Sequence, residues 1–519
     1  MSDQFPALIV LAPMFGAIFA CLFGMADRRA AFPIVFATLL VTLFATIAVF
    51  QQVLTTGPIE YFVGGWDVDP TEGRPRGVGI ELRIDTMNGL VLILVALVSL
   101  LVSIFSIRRM SEATNDKTPQ FYALFLLLVT GLLGQTATGD AFNLFVLIEI
   151  TSLTSYGLIA MGTSSRGKVG AFNYVIMGTI GASFYLLGVG YLYMETGTLN
   201  MMGIREAIAD PEIGGSRSVM VAFILMTIGL WVKLAFFPLH GWLPNAYSFC
   251  PSTTSCILAP LVTKVTIYVM LRMQLGIFGA DWIFSQFMVS DAIVWLAVIA
   301  ILAGSFFALA QAELKKMLCY LIVAEVGYMV GGAWLGSHWG TVGTIYHILS
   351  DAMMTLCLFL AAGAFVRKFG ARRIEDLDGL FKTAPFTMAA FLVGAFAMIG
   401  IPPTCGFFSK WYLIRGGIES GHWEYVVALL ISSLVNAVLF FRIIEIAYFG
   451  KKPAESHGHD DHHDDEPVES KEADWRAMVP LYGAAIGIIL IGLFNGQIVE
   501  WIELSLVDLP VIGMEGGTN

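Results

Sequence analysis

Apolar runs follow one another along almost the whole chain, separated by short polar loops. They lie at approximately 5–26, 31–53, 85–107, 119–137, 140–162, 169–194, 217–247, 252–273, 290–312, 316–336, 340–366, 385–417, 424–448 and 477–498. A helix of about 20 apolar residues crosses about 30 Å of hydrocarbon, so the pattern predicts an all-α polytopic membrane protein with about fourteen transmembrane helices. Two runs, 217–247 and 385–417, are too long for one straight crossing, and both contain prolines: Pro238 in the first, Pro402 and Pro403 in the second. Proline removes an amide donor and clashes with the preceding turn. Because irregular backbone at membrane depth is tolerated only against protein or a water-filled cavity, both runs are expected to be broken helices that mark a transport path.

Four charges interrupt the apolar pattern near the middle of a span. Glu149 lies in FNLFVLIEITSLTSYGLIAMG, Lys233 in MTIGLWVKLAFFPLHGWLP, Lys264 in ILAPLVTKVTIYVML and Lys410 in MIGIPPTCGFFSKWYLI. A charge at the centre of a spanning helix costs about 2.5 to 3.5 kcal/mol on insertion scales, so it persists where it faces protein or water and is used. Four such positions point to an ion path. The competing explanation, static buried ion pairs that fix helix packing, accounts for Glu149 with Lys233. It does not account for Lys264 and Lys410, for which no acid lies at helical spacing.

Composition agrees with a membrane protein: 57% of residues are hydrophobic, 13% are charged and the mean hydropathy is +0.76. The net charge of −11 comes largely from one loop between Glu455 and Asp474, so it indicates neither a nucleic-acid partner nor a substrate preference. Cys21, Cys250, Cys256, Cys319, Cys357 and Cys405 show no paired spacing, which argues against a CxxC metal or redox site and for small buried hydrophobes. Nucleotide-binding glycine loops and a soluble catalytic domain are likewise missing from the sequence. No cofactor and no metal site are expected, and no catalytic chemistry of the chain's own. The first run has its positive charges after it and no small-residue cleavage site, so it reads as a retained helix.

Loop charges orient the chain. With the N-terminus outside, the inner loops collect eighteen of the 29 basic residues, among them Arg28, Arg29, Arg166, Lys315, Lys316 and Arg372. Outer segments and outer helix ends keep only Arg74, Arg76, Arg83, Arg205, Arg217, Arg272 and Arg415. Both termini are expected on the outer, periplasmic side of a cell (inner) membrane.

The runs TGDAFNLFVLIEITSLTSYGLIAMG, KLAFFPLHGWLPNAYSFCPS, TKVTIYVMLR, LKKMLCYLIVAEVGYM and IPPTCGFFSKW together resemble the antiporter-like membrane subunits of respiratory complex I. Within that group the chain is most similar to the D subunits of multisubunit Mrp-type cation/proton antiporters and their counterparts in membrane-bound hydrogenases. The resemblance covers roughly residues 80–450. It implies fourteen helices, of which helices 4 to 8 and 9 to 13 form two inverted five-helix repeats, each with a broken helix. It also implies an organisation into N-terminal helices (1–115), a proton-translocating core (116–450), a His/Asp-rich inner loop (451–476) and a C-terminal helix with its tail (477–519).

Carried over position by position, the resemblance makes Glu149 the partner of Lys233, Lys264 a connecting lysine, and Lys410 the lysine of the second broken helix. Such a series is a proton relay, a task that suits lysine because its charge responds readily to burial and to a neighbouring carboxylate. His347 and Asp351, four apart, share one helix face. Some relatives have a lysine four residues further on, where this chain has Thr355; His347, with water, is the substitute candidate because histidine exchanges protons near neutrality. Three secondary candidates are Asp351, Glu325 as a negative partner for Lys410, and His240 as either a channel-lining residue or a cap on the broken helix. Asp85 and Asp140 each open a run and read as helix caps. The stretch His457–Glu466 has the composition of a divalent-cation ligand but no apolar anchors, and reads as a solvated loop.

The functional expectation is a proton-translocating subunit of a multisubunit Na+/H+ antiporter, with other membrane subunits, H+, Na+ and membrane lipid as partners and no nucleic acid. The alternatives are the equivalent subunit of a complex I-like or hydrogenase-linked redox pump, and a proton-coupling subunit that powers a soluble partner.

Overall fold

The computed structural model describes residues 4–65, 79–107, 117–286, 289–449 and 472–507. The His/Asp-rich stretch at 457–466 lies outside them. The chain begins with α1 (Phe5–Ala26) and α2 (Arg28–Thr56). A two-stranded antiparallel hairpin follows, β1 (Ile59–Phe62) and β2 (Glu81–Ile84), with Ile59 opposite Ile84. Next come α3 (Thr86–Ser106), α4 (Thr118–Ala137), α5 (Ala141–Ala160) and α6 (Ser165–Thr196). Two short helices, α7 (Met201–Ile208) and α8 (Pro211–Gly214), lead to α9 (Arg217–Lys233) and α10 (Leu243–Phe249). The second half comprises α11 (Ser252–Leu271), α12 (Ala280–Gln286), α13 (Ser290–Leu309), α14 (Leu314–Trp334) and α15 (His338–Phe369), then α16 (Leu380–Thr383), α17 (Pro385–Ile399), α18 (Cys405–Glu419), α19 (Trp423–Phe449), α20 (Trp475–Leu493) and α21 (Asn495–Val507).

This is an all-α polytopic membrane protein. Among the described residues twelve helices are long and apolar enough to cross a membrane, or thirteen if Glu375–Thr383 and Pro385–Ile399, bent by 118°, form one span. The runs at 217–247 and 385–417 are absent from the twelve because each is interrupted. The first divides into α9 and α10, of 17 and 7 residues, the second into α17 and α18, of 15 each, all short of the about 20 residues of an average span.

Two helix starts near the site are capped by the aspartates that precede them. Asp85 accepts from the Asn88 amide at 3.1 Å while Asn88 Oδ1 accepts from the Asp85 amide at 2.7 Å, a reciprocal capping box on α3. Asp140 caps α5 through the Asn143 amide at 2.6 Å. Asp85 does more than cap: its Oδ2 lies 2.7 Å from Arg272 Nη2, and Arg272 Nε donates to Tyr268 Oη at 2.9 Å. Arg272 is therefore a buried ion-pair member at its helix end.

Burial separates centre from rim. Nearly every residue of α11, α14 and α15 is enclosed by protein, whereas only about a third of the apolar windows of α1 and α2 is. The three central helices carry Lys264, Glu325, His347 and Asp351, all of them fully buried. Their polar groups are thus held away from lipid by the packing of the whole bundle.

Candidate functional site

Lys233 is the last residue of α9, immediately before the first break. Ala235 follows with φ of 60°, left-handed backbone that costs an alanine about 1 to 2 kcal/mol and so must be held by its surroundings. Part of that hold is Trp242, stacked on Tyr174 at 3.9 Å, whose Nε1 donates to Val232 O at 3.0 Å and satisfies a carbonyl at the end of α9. Trp242 therefore satisfies one carbonyl at that helix end. His240 lies half-buried with its ring stacked on Phe237 at 5.2 Å. The Lys233 ammonium sits 3.1 Å from Glu149 Oε1 and donates to Ser152 Oγ at 2.7 Å. Lys233 is buried, but the Glu149 side chain is 27% exposed, on a face of α5 that also shows Phe142, Val146 and Leu153 to the outside.

The second break is built differently. Gly400 ends α17 with φ of 94°, conformational freedom that a side chain would forfeit. Lys410 reaches back from α18 and donates to Met398 O at 2.7 Å and Ile399 O at 3.4 Å, with a third bond to Ser433 Oγ at 3.1 Å. Its charge thus sits on the last carbonyls and negative dipole end of α17, where Asn436 Nδ2 also donates to Met398 O at 3.1 Å. No described carboxylate lies within ion-pair distance of it. Glu325, expected as its negative partner, is engaged elsewhere.

Between the breaks, buried polar groups lie close together in series. Lys264 Nζ lies 2.9 Å from Asp351 Oδ2, and Thr355 Oγ1 donates to Asp351 Oδ1 at 2.7 Å. Asp351 and His347 stand one turn apart on α15, and Glu325 Oε2 on α14 lies 2.6 Å from His347 Nε2. Ligand atoms of Glu325, His347 and Asp351 all fall within 4.8 Å of one another. That is a spacing a cation would accept, but the Lys264 ammonium already occupies the Asp351 side of it. One turn along α14, the Tyr328 ring lies 5.5 Å from the His347 ring and carries the Lys410 ammonium 5.6 Å from its centre. Buried groups therefore neighbour one another from Lys264 through Asp351 to His347 and Glu325, with the Tyr328 ring between His347 and Lys410. Among the described residues no hydrogen bond joins this series to the Lys233 group.

The family profile described as NADH:quinone oxidoreductase/Mrp antiporter, transmembrane, matches residues 138–436, more than half of the chain. The chain belongs to this family. The family segment contains Glu149, Lys233, Lys264, Glu325, His347, Asp351 and Lys410. Over 507 residues the chain is 40% identical to the N subunit of the NADH-quinone oxidoreductase of Desulforudis audaxviator, covering 96% of this chain and 98% of that one. It is 29% identical over 454 residues to the D subunit of the Na+/H+ antiporter of Bacillus subtilis, covering 87% and 86%. Among solved structures it resembles a chain of the membrane-bound sulfane sulfur reductase, an archaeal respiratory membrane complex, with a TM-score of 0.86 at 28% identity, covering 98% of this chain and 99% of that one. It also has the fold of a chain of the Mrp complex from Dietzia sp. DQ12-45-1b, with a TM-score of 0.85 at 24% identity, covering 98% and 97%.

For this antiporter-family chain, sequence reasoning missed two things. Asp351 is the acid partner of Lys264, so the static ion-pair explanation extends to Lys264 as well; spacing along α11 carries no information about a partner on α15. Lys315, read as an inner-loop charge, is buried at the start of α14 and donates to Ser252 Oγ at 2.8 Å and Ser255 Oγ at 3.2 Å. A mid-span carboxylate at 351 was itself the signal for the first. For Lys315, which opens a run beside Lys316, the sequence offered none.

Proposed function

We propose that this chain is a proton-translocating subunit of a larger membrane assembly, and that protons move through it along the buried lysine, carboxylate and histidine groups. The observation that carries the reading is the run of neighbouring buried groups from Lys264 through Asp351, His347 and Glu325, with Tyr328 between them and Lys410. Every member lies inside the bundle, and the groups can alternate between charged and neutral forms as a partner approaches or withdraws. Glu149 and Lys233 form a second exchangeable pair at the first break. His240, half-buried in that break, belongs to the approach to Lys233. The conducting unit is the 116–450 core, whose two five-helix repeats contain one break each. The partly exposed Glu149 supports a multisubunit setting: a carboxylate at membrane depth calls for polar protein beside it.

The assembly is a Mrp-type Na+/H+ antiporter in the first reading, supported by the Bacillus subtilis antiporter relative. The 40% identity to the N subunit of a quinone oxidoreductase favours a second, a redox-driven pump in which electron transfer in other subunits powers the same relay. Both place the chain in the cell membrane, with the termini on the outer side by the distribution of loop charges.

The test is cation-dependent proton movement in inverted vesicles carrying the complete native operon, comparing wild type with Lys233→Ala and Glu149→Ala at equal assembly. Collapse of the proton gradient on Na+ addition in wild type alone supports the antiporter. Pumping only when an electron donor is added supports the redox assembly. Unchanged transport in both variants defeats the relay.

A further inference from the structure

At the end of the bundle where α5, α10 and α15 stop and α11 and α14 begin, a hollow of about 500 Å³ opens. Arg166, Lys315 and Arg372 line it, against a single carboxylate, Glu313. None of the three cations forms an ion pair with a described residue. Lys315 is the decisive one. It is buried, and it places its ammonium 2.8 Å from Ser252 Oγ on the first residue of α11. That is the positive end of a 20-residue helix whose first turn has no side-chain cap. A buried cation against a positive helix end is unfavourable twice over, by desolvation and by the macrodipole, and an anion seated there relieves both.

A second hollow of about 450 Å³ shares Ser165, Arg166 and Phe249 with the first and is lined further by Val169 and Lys316. Below it, Val169, Phe172, Ile176, Ile180, Phe184 and Leu187 are exposed along α6. Their spacing of three and four residues makes one continuous apolar stripe leading away from the cationic hollow. A phosphate alone would use the first feature; a phosphate carrying acyl chains would use both.

We infer that this hollow binds the headgroup phosphate of an anionic phospholipid, with Lys315 and Arg166 as its charged ligands and the α6 stripe as the track for an acyl chain. The site is separate from the proton series. It ties the ends of α5, α11, α14 and α15 to one leaflet, the cytoplasmic one by the loop charges.

The experiment uses the full chain with the subunits that purify with it, delipidated in detergent. It is titrated with phosphatidylglycerol, with phosphatidylcholine of the same acyl chains, and with inorganic phosphate, and read by native mass spectrometry and thermal midpoint. Phosphatidylglycerol should bind and raise the midpoint where phosphatidylcholine does not. Arg166→Gln, an exposed change that leaves the core intact, and Lys315→Gln should each weaken it about fivefold, as loss of one juxtamembrane charge does. Lys368→Gln, a charge at the same end but outside the hollow, should not. Val169→Asn should weaken phosphatidylglycerol alone. Equal losses for Lys368→Gln and Arg166→Gln would overturn the site in favour of general surface charge. Inorganic phosphate as effective as phosphatidylglycerol, with Val169→Asn silent, would replace the lipid by a free anion.

Discussion

Lys264 and Asp351 form an ion pair at 2.9 Å with both side chains fully enclosed. The two residues are 87 positions apart, on helices in the centre of the bundle, and neither side chain is exposed at the bundle surface. Removing one partner of such a pair strands the other and costs about 3 to 5 kcal/mol, whereas replacing both with apolar groups of similar size is often neutral. Asp351→Asn should therefore lower the thermal midpoint of the purified protein clearly, and Lys264→Met with Asp351→Leu should recover most of it. The double variant should still conduct no protons. Full proton movement in it would mean that the pair is only structural.

Glu149 differs because its carboxylate is partly exposed. Glu149→Gln keeps the shape and hydrogen bonding of the side chain but removes its charge from Lys233, so assembly should be almost unchanged. A loss of about 1.4 kcal/mol of pairing already changes an equilibrium tenfold. Vesicle transport by Glu149→Gln should accordingly fall by about tenfold or more at wild-type protein levels, and a rate within twofold of wild type would remove Glu149 from the path.

His347 contacts Glu325 at 2.6 Å. A glutamine at 347 can still donate to that carboxylate but cannot take up and release a proton. Transport by His347→Gln should drop across the range of about pH 5 to about pH 8, in which histidine side chains in general can exchange protons, while the protein stays assembled. Wild-type rates across that range would show that protons bypass His347.

The second break depends on a close approach. A Cβ added to Gly406 would sit 1.9 Å from Ala397 O, backbone that cannot simply swing aside. Gly406→Ala should push α17 and α18 apart and cost about 1 to 3 kcal/mol, the usual penalty of overpacking. It should also move Lys410 off Met398 O, so proton movement should fall together with the melting temperature. A normal melting temperature in Gly406→Ala would show that α18 can shift without strain.

Much of the site was legible because it violates the hydrophobic pattern. Glu149, Lys233, Lys264 and Lys410 stand out from apolar runs, and Pro238, Pro402 and Pro403 locate the two interruptions without any reference to tertiary structure. Partners were harder to read. Asp351 was noticed on the same face as His347, yet its pairing with Lys264 depends on how α11 lies against α15. Glu325 reads from charge as a partner of Lys410, and the packing of α14 on α15 adds a direct contact with His347 that charge alone does not reveal. Lys315 looked like an ordinary loop charge until α11 closed over it.

The sequence by itself determined that the chain crosses a membrane many times, where its spans break and which charges it carries inside. These follow from local rules: hydrocarbon demands about 20 apolar residues per crossing, a proline inside a run too long for one crossing marks a break, and a charge at mid-span is costly wherever it occurs. Only the tertiary structure decided which charge meets which. A buried ion pair is an encounter of side chains projecting from different helices, and its geometry is set by helix rotation and packing that no single segment encodes. For the same reason Lys410 rests on helix carbonyls, while Lys264, equally buried, has a carboxylate.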